Sequence, residues 1–300
     1  MMRLSAVLLS LLWPLGAALA APKVAVSIAP LYSLTKEMMV GADTPSLLIQ
    51  TPSLGHDASL TPSQVRTLKN ADLLVWVGPA MEAFLVPYDV TRTDRSFPMS
   101  AQKGVKTLEG RCTHGHGHAN EHDHHHGSVD PHMWLDPHNA VAFIEALAHK
   151  LSDLDPPNRA HYEANLERVR KSLEKLGKDL AHTLAPLSNT SLFVLHDTLG
   201  YFTHAYGLKD ALSLSVDPDQ GLSLGRLRSL EAQAAPHKGA CLLGEPFWGK
   251  THLEKLAKNL HLRPVTIDPF GYDLAQGKPL PYDEMMRALA DNLRTCATQS

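Results

Sequence analysis

The sequence predicts an α/β protein of two lobes with mainly parallel sheets, joined by one long helix. Three observations carry that expectation. Short β-branched runs alternate with helical stretches in both halves of the chain. Between the halves, a helical pattern runs from Asn158 to Leu184 with no proline and only Gly177. The 280 residues that follow the first twenty also exceed the size at which one apolar core stops growing.

The first twenty residues read as a secretory signal peptide. Met1-Met2-Arg3 precedes an apolar stretch from Leu4 to Leu15, and Ala18-Leu19-Ala20 forms an A-x-A site with cleavage expected after Ala20. A membrane anchor needs roughly 20 apolar residues, and this stretch is shorter and interrupted by Pro14. The expected location is therefore the periplasm.

In the N-terminal lobe, residues 21–154, Val24 to Ile28, Ser46 to Ile49 and Leu73 to Val77 read as buried strands. Helical segments separate them near Leu31 to Met39 and Pro62 to Lys69. Thr61, Pro62 and Gln64 supply a cap, a first-turn proline and the third-position partner of a capping box. A further helix reads from Pro137 to Leu151. The linker helix, residues 155–186, carries Leu166, Val169, Leu173, Leu176 and Leu180 at helical spacing. In the C-terminal lobe, residues 187–300, the strands are Leu192 to Leu195, Ala211 to Leu214, Ala240 to Leu243 and Arg263 to Ile267. Helices fit between them, and Tyr282 to Thr295 closes the chain.

A net charge of −3 gives no reason to expect a nucleic-acid partner. Only three cysteines occur. In an oxidising compartment Cys241, which opens a strand, and Cys296, at the end of the last helix, can pair and leave Cys112 over.

Cys112 lies at the start of the most unusual stretch of the chain. Residues 112–127 read CTHGHGHANEHDHHHG and hold seven of the eighteen histidines: His114, His116, His118, His122, His124, His125 and His126. Neutral imidazole is the commonest protein ligand for zinc and also suits copper and nickel. Interspersed glycine, Asn120 and Asp123 make the run a loop of many weak metal sites, which fixes neither geometry nor ligand number.

A defined site has better candidates elsewhere. In open α/β sheets, ligands bind beyond the carboxyl ends of the strands. His56 follows the second strand, His196 follows Phe193-Val194-Leu195, and Asp268 follows Val265-Thr266-Ile267, while His132 stands between the histidine run and the next helix. Three imidazoles and a carboxylate form a tetrahedral set suited to Zn2+, whereas Mg2+ or Ca2+ want mostly oxygen. Taken singly, each position also has an ordinary reading as a loop histidine or a turn-forming Asp-Pro.

The motifs around these residues resemble, in order and spacing, those of the ZnuA type, the periplasmic zinc-binding proteins of ABC importers within the cluster A-I metal-binding family. The matching stretches are Gly55-His56-Asp57-Ala58-Ser59-Leu60-Thr61-Pro62-Ser63, Asp130-Pro131-His132-Met133-Trp134-Leu135-Asp136-Pro137, Leu195-His196-Asp197-Thr198-Leu199-Gly200-Tyr201-Phe202 and Ile267-Asp268-Pro269-Phe270-Gly271. A histidine-rich insertion before the second motif fits as well. The resemblance implies two (β/α)4-like lobes, each with a four-stranded sheet, bridged by a long helix. It implies that His56, His132 and His196 ligate zinc and that Asp268 occupies the position of a fourth, carboxylate ligand. Some zinc members carry an acidic residue just before the first histidine, where this chain has Gly55, so Asp268 or water must complete the set.

The function so implied is capture of Zn2+ in the interlobe cleft and its delivery to an ABC permease in the inner membrane, by a monomer. A periplasmic metallochaperone is a further candidate partner. Competing readings are a manganese and zinc carrier, a periplasmic zinc buffer centred on the histidine run, and an exported zinc hydrolase. The last is disfavoured because the chain has no H-E-x-x-H and Asp268 would close the open position that catalysis needs. Trp134, Tyr201 and Phe270 are either cleft walls or interlobe core, and Glu245 is a candidate to orient a ligand histidine.

Overall fold

The structure, a computed structural model, describes residues 21–50, 60–89, 93–110, 129–214, 223–273 and 276–298. The signal peptide, His56 and the histidine run with Cys112 lie outside the described residues.

Two four-stranded parallel sheets organise the chain. The first contains β1 (Val24–Val26), β2 (Ser46–Leu47), β3 (Leu73–Trp76) and β4 (Ser96–Pro98) in the order β2-β1-β3-β4. The second contains β5 (Leu192–Val194), β6 (Leu212–Ser213), β7 (Cys241–Gly244) and β8 (Arg263–Thr266), and repeats the same pattern as β6-β5-β7-β8. The central strands β1, β3, β5 and β7 are buried at every position, as expected for parallel strands covered on both faces. A hairpin of β9 (Tyr272–Asp273) and β10 (Lys278–Pro279) follows the second sheet.

Nine α-helices occur among the described residues: α1 (Ala29–Met38), α2 (Pro62–Asn70), α3 (Val86–Asp89), α4 (Pro137–Leu154), α5 (Arg159–Leu184), α6 (Gly200–Ala205), α7 (Leu224–Ala234), α8 (Lys250–Leu260) and α9 (Tyr282–Thr298). The capping box of α2 forms as its sequence predicts: Gln64 N–H donates to the Thr61 hydroxyl, and Thr61 N–H donates to Gln64 Oε1. Gln64 Nε2 also donates to the Leu48 carbonyl, which fastens α2 to the end of the second strand. The 26 residues of α5 extend about 39 Å at 1.5 Å per residue. Its buried face is Tyr162, Asn165, Val169, Leu173, Leu176, Leu180 and Leu184, a three-four spacing that keeps one stripe inward.

Strand β4 and the β9–β10 hairpin have no counterpart in the sequence reading. Ser96-Phe97-Pro98 offers a single apolar side chain, and its proline suits only an edge, which is where β4 lies.

One apolar core runs through both lobes. It includes Val26 and Val75 of the first sheet, Phe143 and Leu147 of α4, Leu173 and Leu176 of α5, and Val194 and Leu243 of the second sheet. Each sheet packs its other face on a smaller cluster of its own, around Trp76 and Leu85 in one case and Phe193 and Leu242 in the other. The lobes therefore share more than the linker helix. Helix α9 returns from the second sheet to pack on α5 and α1, and Tyr282 N–H donates to Ser33 Oγ. A Cys241–Cys296 disulfide ties α9 to the start of β7, as the cysteine placement suggested.

Candidate metal centre

The reversal of strand order between β5 and β7 opens a crevice at their carboxyl ends, the usual ligand position in such sheets. His196 follows β5 there, two residues after Val194, and Glu245 directly follows β7. Gly244 makes this junction compact. A Cβ at that position would come within 2.8 Å of Leu253 Cδ1 and 3.1 Å of Leu195 Cδ1, so only glycine lets β7 run so close beneath α8. A short 3-10 turn, Pro246–Trp248, then brings the Trp248 indole back to the carboxylate it follows. Trp248 Nε1 donates to Glu245 Oε2 at 3.1 Å, and the Thr198 hydroxyl approaches Glu245 Oε1 at 3.5 Å. Glu245 Oε1 lies 3.7 Å from His196 Nδ1.

His132 arrives from the other lobe. It precedes a 3-10 turn, Met133–Leu135, and its ring stands 5.3 Å from that of His196, edge to face at 77°. Asp130 fixes it twice, since Oδ1 accepts both the backbone N–H of His132 at 3.0 Å and its Nδ1 at 2.9 Å. The His132 side chain is 2% exposed and that of His196 20%, so solvent reaches the pair from the His196 side.

Asp268 heads a tight turn. Its Oδ1 accepts the N–H groups of Phe270 and Gly271, and its Oδ2 accepts that of Tyr272. The turn demands glycine at 271, where φ is +67° and a Cβ would meet Met285 Cγ at 2.8 Å. Burial pushes the Asp268 carboxyl above its ordinary range; the three N–H donors oppose that rise, and the nearby Glu245 charge adds to it. Among the described residues, no three His, Cys, Asp or Glu side chains gather closely enough to hold one metal ion. The structure thus brings His132 and His196 together, while three backbone N–H groups hold the Asp268 carboxylate in its own turn.

The aromatic residues fasten the lobes as well as wall the site. Trp134 Nε1 donates to the Pro269 carbonyl, and its ring stacks at a tilt on Phe270, 5.4 Å away. The Tyr282 hydroxyl donates to the Trp134 carbonyl, and the Tyr201 hydroxyl donates to the Asp130 carbonyl while accepting the Leu108 N–H. The motif around His132 contains Asp130 without marking it as the partner of that histidine. The spacing of a carboxylate two residues before a histidine was the available signal.

The family described as "ZnuA: Zinc-uptake complex component A periplasmic" matches this chain over residues 24–296, almost its whole length. The chain belongs to the ZnuA family. Among ZnuA proteins, the high-affinity zinc uptake system protein of Yersinia pestis is 31% identical over 293 residues, covering 93% of this chain and 92% of the relative. Its counterpart in Brucella suis is 30% identical, with 92% of each chain covered. A crystal structure of ZnuA superposes with a TM-score of 0.75 at 23% identity over 92% of this chain and 99% of its own, which speaks to the fold. The metal-dependent lipoprotein YcdH from Bacillus subtilis gives 0.72 at 25% identity, with 91% and 98% covered. ZnuA is a solute-binding component by family, and no helix among the described residues is long and apolar enough to cross a membrane.

Proposed function

We propose that this chain captures Zn2+ in the cleft between its lobes and hands it to an ABC-type permease, working in the periplasm as a monomer after cleavage behind Ala20. The observation that carries the reading is the pair of imidazoles, one from each lobe, 5.3 Å apart and each backed by a buried carboxylate. Nitrogen donors held this way favour zinc over harder cations. His56 completes the imidazole set. Asp268 takes the fourth position, for which three N–H contacts leave its carboxylate one of about four lone-pair directions. Membership of a family described by zinc uptake, and relatives named for it, support the same reading.

The histidine run is an accessory in this proposal. An antiparallel bridge between Glu109 and Val129 closes its root, three residues from His132, so zinc gathered by the run starts near the cleft.

Titration of metal-free protein with Zn2+, and in parallel with Mn2+, Ni2+ and Cu2+, tests the assignment. One tight zinc per molecule is expected, lost in His132→Ala and in His196→Ala. Undiminished tight binding in both variants would overturn the site.

A further inference from the structure

The two described imidazoles are supported differently. His132 has its carboxylate in full hydrogen-bond contact, whereas the carboxylate facing His196 Nδ1 stands 3.7 Å off, just beyond hydrogen-bond length. Yet Glu245 is 3% exposed and belongs to a chain of contacts built around it. Trp248 Nε1 holds Oε2, the Thr198 hydroxyl approaches Oε1, and Gly244 and Pro246 fix the backbone on either side. No Lys or Arg ion pair to Glu245 occurs among the described residues to account for burying its charge there. The crevice at the β5/β7 reversal gives it a use. A histidine that donates its Nδ1 proton to a carboxylate presents a bare Nε2 to a metal, and such outer carboxylates fix both the tautomer and the ring direction.

We propose that Glu245, anchored by Trp248, is the positioning residue for His196: it accepts the Nδ1 proton and turns Nε2 toward the ion. The inference rests on His196 being a zinc ligand. Trp248 sets the polarity of the arrangement. An indole N–H can only donate, so whatever replaces Glu245 must keep an oxygen toward Trp248. With glutamine, the amide nitrogen is then left to face His196. It would donate to Nδ1 and drive the ring proton onto Nε2, the nitrogen that zinc needs. The isosteric substitution is therefore expected to harm binding at least as much as truncation.

The test compares Glu245→Gln with Glu245→Ala in the full-length mature protein. Two readouts are used: zinc affinity by competition with a chelator, and the ring-nitrogen shifts of 15N-labelled histidine in the metal-free state. Glu245→Ala is expected to weaken zinc about 10- to 100-fold, and Glu245→Gln at least as much. The His196 proton should move from Nδ1 to Nε2 in the glutamine variant. A role confined to packing or net charge would leave the tautomer in place. Zinc affinity within twofold of wild type in Glu245→Gln, or weakened binding with an unmoved tautomer, overturns the proposal. If His196→Ala itself keeps tight zinc, the assignment of the cleft fails instead, and the tautomer measurement shows separately whether Glu245 holds the ring.

Discussion

Asp130 Oδ1 accepts two hydrogen bonds from the same residue, the backbone N–H and the Nδ1 of His132, so one oxygen fixes both where His132 begins and which way its ring faces. The Tyr201 hydroxyl, from the opposite lobe, holds the carbonyl of the same aspartate. Orientation of the ring and contact between the lobes thus meet in one residue. Asp130→Ala should weaken zinc about 10- to 100-fold while leaving the stoichiometry of tight binding at one, measurable by chelator competition. An unchanged affinity would show that His132 orients itself without help.

Deletion of residues 114–126 separates gathering from holding. One tight zinc should survive the deletion, and the weaker zinc should disappear. Protons compete with metal for imidazole, so the weaker population should be released first as pH falls toward 6. Isothermal titration of both forms at pH 7.5 and pH 6 checks both statements, and loss of the tight ion on deletion would contradict the first.

Glu82 is wholly buried at the carboxyl end of the first sheet. It accepts the Ser27 hydroxyl at 2.5 Å and the N–H groups of Gly78 and Val77. Burial outweighs these donors and pushes its carboxyl from 4.5 up to about 7. An acid whose folded value is raised keeps its proton in the native state after the unfolded chain has lost it, so stability falls as pH rises from about 4.5 to about 7. The cost above that window is on the order of 3 kcal/mol. Glu82→Gln should remove this slope: urea unfolding of the metal-free protein should show the variant gaining on wild type between pH 5 and pH 7.5. Parallel profiles would show that Glu82 is ionised throughout.

The Cys241–Cys296 bond spans 55 residues of sequence and anchors the terminal helix to β7. Closing a loop of that length contributes about 4 kcal/mol on the chain-entropy model. Reduction, or Cys296→Ser, should lower the denaturation midpoint accordingly. Because the bond lies away from the imidazole pair, tight zinc binding should persist at temperatures where the reduced protein is still folded.

Much of this architecture is legible in the sequence because parallel strands buried on both faces leave continuous apolar runs, as at Leu73 to Val77 and Leu192 to Leu195. The edge strand Ser96–Pro98 leaves almost none, having one apolar side chain to bury. His196 and Asp268 stand out in the sequence because each follows a readable strand, and His132 because its motif leads into a readable helix. The turn that holds Asp268 could not be read, since it depends on N–H groups of Phe270, Gly271 and Tyr272 converging through a glycine turn. Nor does any local pattern reveal that Trp134 reaches the Pro269 carbonyl, 135 residues away.

The continuity of apolar packing across both sheets governs how the ion can leave. Prising the lobes apart would expose that surface at about 25 cal/mol per Å2, against a net stability of about 5–15 kcal/mol for an ordinary domain. A wide, jaw-like opening on a hinge is costly on those terms. The protein is closer to a gem setting, in which the mount is solid and only the prongs, single rings and short turns, bend to let the stone go.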